Sequence, residues 1–142
     1  MTARILIIED DMASRELADY LLSCAGHVVR TARDGAEGLR AVKAEIPDLI
    51  ICDLQMPVMN GFEFIKDLRA APELRAIKTI AVTAFSMAGD RDKALDAGFQ
   101  EYLSKPIDPH TFVASIEAML PAQLRAAAGA PGGALDGEAG GQ

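Results

Sequence analysis

Two short apolar runs, each followed at once by acidic residues, decide the fold of this 142-residue chain. The first reads Arg4-Ile5-Leu6-Ile7-Ile8 and continues into Glu9-Asp10-Asp11. The second reads Asp48-Leu49-Ile50-Ile51-Cys52 and continues into Asp53. Neither run alternates apolar with polar side chains, which is typical of parallel strands covered by helices on both faces. We therefore expect two buried parallel strands with acids at their carboxyl ends.

The rest of the chain continues the same alternation of short apolar runs with helical patterns. Further strands are predicted at 28–29, 79–82 and 99–103. The predicted helices are one ending at Gly26, one opened by Asp34 with Glu37 three residues on, one over 61–70, one over about 88–97, and one with Asp108 as N-cap and Pro109 as its first residue. Parallel strands in βα units are joined by right-handed crossovers. The predicted fold class is therefore α/β, a doubly wound five-stranded parallel sheet with the flavodoxin-like strand order 2-1-3-4-5.

Composition and charge narrow the function classes. Twenty-one acids against fourteen bases give a net charge of −7, which repels phosphate backbones and anionic headgroups. We expect no direct nucleic-acid partner and no membrane partner. No apolar run approaches the roughly 18 residues of a membrane-spanning helix, and the N-terminus lacks a signal-peptide pattern, so the predicted location is cytoplasmic. Cys24 and Cys52 are predicted to be buried free thiols, and His27 and His110 surface residues.

The two ends of the chain differ in composition. Residues 1–122 carry the five βα units and form one predicted domain. Between residues 126 and 142, twelve of seventeen residues are Ala or Gly. Such a segment cannot bury enough apolar surface to offset the entropy of ordering it, so a flexible tail is predicted over 123–142. A short helical extension over 123–128 is the alternative, because alanine favours helix.

Polar residues at the strand ends predict the position and chemistry of a site. In a doubly wound sheet the ligand lies outside the carboxyl ends of the strands, at the switch point between strands 1 and 3. This rule brings together Glu9, Asp10, Asp53, Thr83 and Lys105, although each alone has a plainer interpretation as a helix cap, a strand-end hydroxyl or a solvated charge. Clustered acids are costly unless a cation lies among them. Glu9, Asp10 and Asp53 therefore predict a Mg²⁺ site, with Lys105 beside it as an anion-binding group.

Four motifs carry a resemblance to a known family. They are Glu9-Asp10-Asp11, Asp53-Leu54-Gln55-Met56-Pro57-Val58-Met59-Asn60-Gly61, Val82-Thr83-Ala84 and Tyr102-Leu103-Ser104-Lys105-Pro106. In this order they resemble the receiver domain of two-component response regulators over about residues 3–121. The resemblance implies a CheY-like fold and a phosphorylation-driven switch of protein interactions rather than an enzyme. The segment 83–90, with Lys105-Pro106-Ile107, is similar to DivK-type cell-cycle regulators and to hybrid-kinase receivers.

The resemblance also implies roles for individual residues. Asp53 resembles the phospho-acceptor, which takes its phosphoryl group from the phosphohistidine of a sensor kinase or phosphotransfer protein. Glu9 and Asp10 resemble the acidic pair that holds Mg²⁺ together with Asp53 and the backbone carbonyl of Gln55. Thr83 and Lys105 resemble the groups that bind the phosphoryl oxygens, and Lys105-Pro106 resembles the family's cis peptide. Tyr102 resembles the switch aromatic coupled to Thr83, with the downstream target on the face of helix 4, strand 5 and helix 5. Asp11 fits two roles, an outer acid or a helix cap.

The lifetime of the phosphorylated state is predicted to depend on Gln55 and Phe85. They lie two residues after Asp53 and Thr83 and should flank the path of an attacking water. Gln55 can orient a water but cannot act as a base, and Phe85 is apolar and large. We therefore expect slow hydrolysis, unless Phe85 faces away to pack against helix 4 or a partner.

Two other functions compete with a stand-alone receiver. One is a receiver module of a hybrid kinase or a longer regulator, which Met1 directly before strand 1 and the low-complexity tail disfavour. The other is a Mg²⁺-dependent phosphohydrolase with an aspartyl-phosphate intermediate. Such an enzyme needs a second acid two residues after its nucleophile, and here that residue is Gln55, whose amide cannot shuttle a proton.

Overall fold

The computed structural model describes residues 2–84 and 89–120, in which five parallel strands alternate with five helices. The strands are β1 Arg4–Ile8, β2 Val28–Ala32, β3 Leu49–Asp53, β4 Lys78–Thr83 and β5 Glu101–Ser104. The helices are α1 Met12–Cys24, α2 Gly35–Ala44, α3 Gly61–Ala70, α4 Asp90–Ala97 and α5 Phe112–Ala118, with a short 3₁₀ helix at Pro72–Leu74. The sheet has the order β2-β1-β3-β4-β5, and all its pairings are parallel. The predicted fold class and strand order are confirmed.

Both faces of the sheet are buried, which explains why the strands show no polar alternation. Ile5 and Ile7 of β1 belong to a core that includes Leu22 of α1 and Ile116 of α5. The intervening residues Leu6 and Ile8 belong to a second core with Phe64, Ile65 and Leu68 of α3. Successive side chains of a strand point to opposite faces. Each residue of β1 after Arg4 therefore packs against one of two helical layers.

The strand register brings the predicted site residues to one edge of the sheet. Ile8 pairs with Cys52, so Glu9 and Asp53 follow on adjacent strands. Thr83 at the end of β4 pairs with Ser104, the residue before Lys105. The Lys105 N–H also donates to the Thr83 carbonyl at 2.9 Å, which continues the β4–β5 pairing by one bond.

Side-chain caps place the first residues of three helices. The Asp11 carboxylate accepts from the Ser14 N–H at the start of α1, so the helix-cap interpretation of Asp11 is confirmed. Asp34 caps α2 in the same way, while Glu37 accepts from the N–H of Arg33 instead of from the cap residue itself. A full capping box, Asn60 with Glu63, begins α3. This box was not predicted from the sequence, because Asn-Gly also fits a turn.

Three predictions about individual residues were wrong. Helix α5 begins at Phe112 instead of Pro109, because the Asp108 carboxylate accepts from the His110 N–H and forms a turn ahead of the helix. Cys24 is exposed at the end of α1, whereas Cys52 is buried as expected. His27 is buried. The predicted first residues of α4, before Gly89, lie outside the described residues.

His27 is buried because both of its ring nitrogens have partners. Nδ1 accepts from the Ala3 N–H at 3.1 Å, and Nε2 lies 2.9 Å from the Glu117 carboxylate. A histidine satisfied at both nitrogens carries no penalty for an unpaired polar group. It joins the beginning of β1 to α5, at the edge of the sheet opposite Asp53.

No helix within residues 2–84 and 89–120 has the length and apolar content to cross a bilayer. The predicted tail over 123–142, and the boundary at residue 122, lie outside the described residues and stay predictions.

Candidate functional site

A lysine bridges two buried acids at the carboxyl edge of the sheet. The Lys105 Nζ lies 2.6 Å from Glu9 Oε1 and 3.2 Å from Asp53 Oδ2. The three side chains are only 16%, 7% and 6% exposed, respectively. The Lys105–Pro106 peptide bond is cis, as the family resemblance implies. The arrangement is a buried charge triad, in which one ammonium faces two carboxyl groups.

Burial and mutual contact shift the ionisation of this triad. Burial is the main reason that the pKa of Glu9 rises from 4.5 to about 7; Lys105 opposes this rise and Asp53 adds to it. For Lys105, burial lowers the pKa, but the contacts with Glu9 and Asp53 outweigh it, and the net pKa is raised. Lys105 is therefore charged at neutral pH. Glu9 releases its proton near neutrality, where it is in balance between its two forms.

Asp10 completes a carboxylate cluster whose dimensions suit a small divalent cation. One oxygen from each of Glu9, Asp10 and Asp53 lies within 4.8 Å of the other two. Oxygens this close to one another could bind the same ion, and carboxylate oxygens are the ligands that Mg²⁺ prefers. Asp10 is exposed while the other two are buried. The pocket is therefore open on one side, which leaves room for the waters that Mg²⁺ retains. The residues present fit this ion.

Backbone donors orient the two buried carboxylates. The Gln55 N–H donates to Asp53 Oδ1 at 3.1 Å, and the Asp11 N–H donates to Glu9 Oε2 at 3.1 Å. With the contacts from Lys105, every carboxylate oxygen of this pair has a donor or cation. Gly61 lets α3 approach closely, since a Cβ there would lie 2.7 Å from the Asp53 carbonyl oxygen and 2.9 Å from the Leu54 Cα. The end of β3 therefore packs against α3 at a position where only glycine fits.

Two further predicted residues, Thr83 and Tyr102, lie on the neighbouring strands β4 and β5, and one lies outside the described residues. Thr83 is buried at the end of β4, and together with Gln55, Phe62 and Lys93 it borders a cavity of about 160 Å³. Tyr102 of β5 is half-buried and packs against the core that contains Phe64. Phe85 is outside the described residues, so its predicted role in shielding the site stays a prediction.

One charged residue at this site was not predicted from the sequence. Arg15, one turn into α1, donates from Nη1 to the carbonyl oxygens of Glu9 at 3.0 Å and of Asp10 at 3.4 Å. A signal for it was available, because side chains of a helix lean back over the preceding turn and the preceding residues here are the acids. Residue types could not predict, however, that Arg15 contacts the backbone carbonyls of Glu9 and Asp10 instead of their carboxylates.

The shifted pKa of Glu9 predicts how the stability of the metal-free protein depends on pH. Folding raises the pKa of Glu9 from 4.5 to about 7, so between these values the folded chain binds a proton that the unfolded chain has released. The resulting stabilisation is complete below pH 4.5 and is lost as the pH rises through 7. Urea unfolding in EDTA should show a loss of at most about 2 kcal/mol from pH 5.5 to 8 from this group. In Glu9→Gln that part of the pH dependence should vanish; the same pH dependence in both proteins would contradict the assignment to Glu9.

Comparison with known proteins identifies chains with the same architecture. A family model described as the response regulator receiver domain matches residues 5–117. The polar-differentiation response regulator DivK of Brucella ovis is 38% identical over 120 residues, which are 84% of this chain and 98% of that protein. The structure of the chemotaxis response regulator CheY4 of Vibrio cholerae superposes with a TM-score of 0.79 at 30% identity, over 84% of this chain and 100% of that one.

A third relative bears on the carboxylate cluster. It is the receiver domain of a sensor histidine kinase from Pseudomonas aeruginosa, whose structure has a magnesium ion coordinated in its active-site cleft. That structure has a TM-score of 0.76 and 28% identity, and the match covers 84% of this chain and 98% of that one.

Proposed function

We propose a function from one premise: this chain belongs to the family of response regulator receiver domains. Receiver domains act as phospho-acceptor switches, and this one is DivK-like at 38% identity. We infer that Asp53 accepts a phosphoryl group from the phosphohistidine of a sensor kinase or a histidine phosphotransfer protein in the cytoplasm. The observation that supports this most is the buried triad of Lys105 with Glu9 and Asp53, placed at the switch point of the sheet.

The chain's own groups suit Asp53 to act as the nucleophile. An oxygen of its carboxylate attacks phosphorus while the bond from phosphorus to the donor's imidazole nitrogen breaks, and that nitrogen leaves with the electron pair. The Gln55 N–H and Lys105 hold the carboxylate before the attack. We expect Lys105 to pair with the oxygens of the arriving group and the hydroxyl of Thr83 to donate to one of them. Phosphoryl transfer depends mostly on such positioning and charge neutralisation.

Glu9, Asp10 and Asp53 would hold Mg²⁺, with the backbone carbonyl of Gln55 as a further ligand. When bound, the ion neutralises negative charge between the acids and the phosphoryl oxygens. Receiver domains generally bind Mg²⁺ at an acidic pocket, and the clustered carboxylates support the same for this chain.

The output of the switch is a change in protein interactions. Thr83 and Tyr102 lie on the adjacent strands β4 and β5, so a movement of the Thr83 hydroxyl toward a new phosphoryl group leaves space for the Tyr102 ring to turn inward. The surface formed by α4, β5 and α5 would then change its affinity for a downstream protein. We further propose that residues 1–122 form the receiver domain and 123–142 an Ala/Gly-rich tail.

Incubation with acetyl phosphate and Mg²⁺, followed by intact mass and peptide mapping, tests the proposal. We expect one phosphoryl group per chain, on Asp53, and no label when EDTA replaces Mg²⁺. Steady turnover of a phosphomonoester, or a label on another residue, would instead favour the phosphohydrolase or a different acceptor.

Two neighbouring acids should respond to alanine in opposite ways. Asp10→Ala should weaken Mg²⁺ binding at least tenfold, in the range of about 10- to 100-fold seen even for outer ligands, and should raise the melting temperature in EDTA because it relieves repulsion in the cluster. Asp11→Ala should lower the melting temperature, because α1 loses its N-cap carboxylate, which accepts from the Ser14 N–H. Thermal melts in EDTA and calorimetric titration with Mg²⁺ measure both effects. Equal melting temperatures for Asp10→Ala and wild type would show that Asp10 feels no repulsion from the other acids.

A further inference from the structure

Arg15 is anchored to the backbone that carries two of the acids. Its Nη1 donates to the Glu9 carbonyl at 3.0 Å and, at a longer 3.4 Å, to the Asp10 carbonyl. The residue begins the second turn of α1, since its own N–H donates to the Asp11 carbonyl at 2.9 Å. Its side chain thus spans the first turn of the helix and reaches the end of β1, in the direction that helical side chains prefer.

The choice of partner is unusual for an arginine among acids. Glu9, Asp10 and Asp11 all lie nearby, yet within residues 2–84 and 89–120 the Arg15 guanidinium forms no ion pair with a carboxylate. It contacts peptide oxygens instead, and the carboxylates of Glu9 and Asp10 remain directed to the cluster. A planar guanidinium offers five donors in a rigid fork, so it can hold neighbouring acceptors at fixed positions.

Apart from Arg15, Asp10 has fewer hydrogen-bond partners than Glu9 has. The Glu9 N–H donates to the Ala32 carbonyl at 2.9 Å, and the Glu9 carboxylate is held by Lys105 and the Asp11 N–H. For Asp10, the bond from Arg15 is the sole hydrogen bond within the described part of the chain. The backbone that carries the exposed Asp10 carboxylate is therefore held by Arg15 together with the Asp11 N–H, which donates to Glu9.

We propose that Arg15 is a positioning residue of the metal site, which sets its preference for Mg²⁺ over larger divalent cations. The proposal rests on the proposed function, because it assumes that Glu9, Asp10 and Asp53 bind Mg²⁺. Mg²⁺ requires near-ideal octahedral geometry, whereas Ca²⁺ accepts irregular and longer coordination. A fixed β1–α1 backbone favours the smaller ion, and a loosened one removes that advantage.

The positive charge of Arg15 weakens the binding of Mg²⁺ and of Ca²⁺, and it does so equally for the two ions. A cation beside the pocket repels any divalent ion, so loss of the charge alone would tighten Mg²⁺ and Ca²⁺ binding by the same factor. The ratio of the two dissociation constants is therefore insensitive to charge and to overall stability. It responds to the geometry of the ligands.

Calorimetric titration of the full metal-free chain with Mg²⁺ and with Ca²⁺ tests the proposal. The variants are Arg15→Met, which removes the contact and the charge, and Arg15→Lys, which keeps the charge but not the fork. Arg40→Met, an exposed arginine of α2, is the control for net charge. We expect Arg15→Met to weaken Mg²⁺ about tenfold, as for other residues that orient ligands, and Ca²⁺ less than about threefold. Arg15→Lys should shift the ratio in the same direction, and Arg40→Met should leave it unchanged.

An unchanged ratio in both Arg15 variants, or equal tightening of the two ions in Arg15→Met, would overturn the proposal. Thermal melts in EDTA show whether each variant is folded. If Arg15→Met is not folded, Arg15→Lys alone tests the proposal. Failure of the wild type to bind Mg²⁺ or to be labelled on Asp53 would refute the proposed function itself. Wild-type binding and labelling with no effect of Arg15 would refute this inference alone.

Discussion

Asp53→Asn should abolish phosphoryl labelling by acetyl phosphate while the protein stays folded. The amide has nearly the same shape as the carboxylate, so its oxygen can still accept from the Gln55 N–H. An amide oxygen is, however, a poor nucleophile, and the substitution also removes one negative charge from the proposed metal site. Intact mass after incubation with the donor and Mg²⁺ should show only unmodified protein.

Asp67→Asn provides the matched control for the loss of one carboxylate. Asp67 is an exposed residue of α3, so its variant should take up label to the wild-type level. A far-ultraviolet circular dichroism spectrum and a melt should show that Asp53→Asn is folded. A phosphoryl group that persists on the variant would place the acceptor at another residue.

The sheet was predictable from the sequence because its strands are short, apolar and buried on both faces. The parallel strand order also predicts the position of the site. Acids that follow β1 and β3 must meet at one edge of the sheet, and the Lys105 side chain is long enough to reach them from β5. The 2.6 Å contact between Lys105 and Glu9 was not predictable, because it depends on rotamers and on the depth of the pocket. The raised pKa of Glu9 follows from that depth.

The start of α5, the burial of His27 and the contacts of Arg15 were not predicted from the sequence, and they have a common cause. Asp108-Pro109 satisfies the rules for a helix start and for a turn, and here the Asp108 carboxylate accepts from the His110 N–H and forms a turn. His27 belongs to no periodic apolar pattern. Its burial depends on contacts of its ring with the Ala3 N–H and the Glu117 carboxylate, which are distant in sequence. Arg15 contacts backbone oxygens, which are the same in every residue type. Local patterns cannot report contacts of these kinds.

Lys105→Met should impair both the stability and the reactivity of the site. Methionine keeps most of the side-chain length but leaves the buried carboxyl groups of Glu9 and Asp53 without their cation. Removing one partner of a buried ion pair costs about 3 to 5 kcal/mol, and here the cost is lower because Glu9 can take up a proton. We expect a loss of about 2 kcal/mol in EDTA at pH 8 and a smaller loss at pH 5.5, where Glu9 is already protonated.

The rate of labelling should fall more than the stability. In the proposed transfer, Lys105 donates to the group on which negative charge collects, and loss of one such donor costs about 100-fold or more in rate. The measurement is the initial rate of label incorporation from acetyl phosphate at saturating Mg²⁺, under conditions where urea unfolding shows the variant to be folded.

Lys78→Met is the control that distinguishes the effects of losing Lys105 from the effects of losing any other lysine. Lys78 forms an ion pair with Glu101 at 3.7 Å on the surface, where the two side chains are 29% and 36% exposed. Exposed pairs contribute about 0 to 1 kcal/mol, so this variant should unfold near the wild-type urea concentration and label at the wild-type rate. If Lys105→Met behaved in the same way at pH 8, the ammonium between Glu9 and Asp53 would have no part in holding the acids together or in the transfer. A loss of stability without a loss of rate would restrict Lys105 to holding the acids, and the phosphoryl oxygens would need another donor.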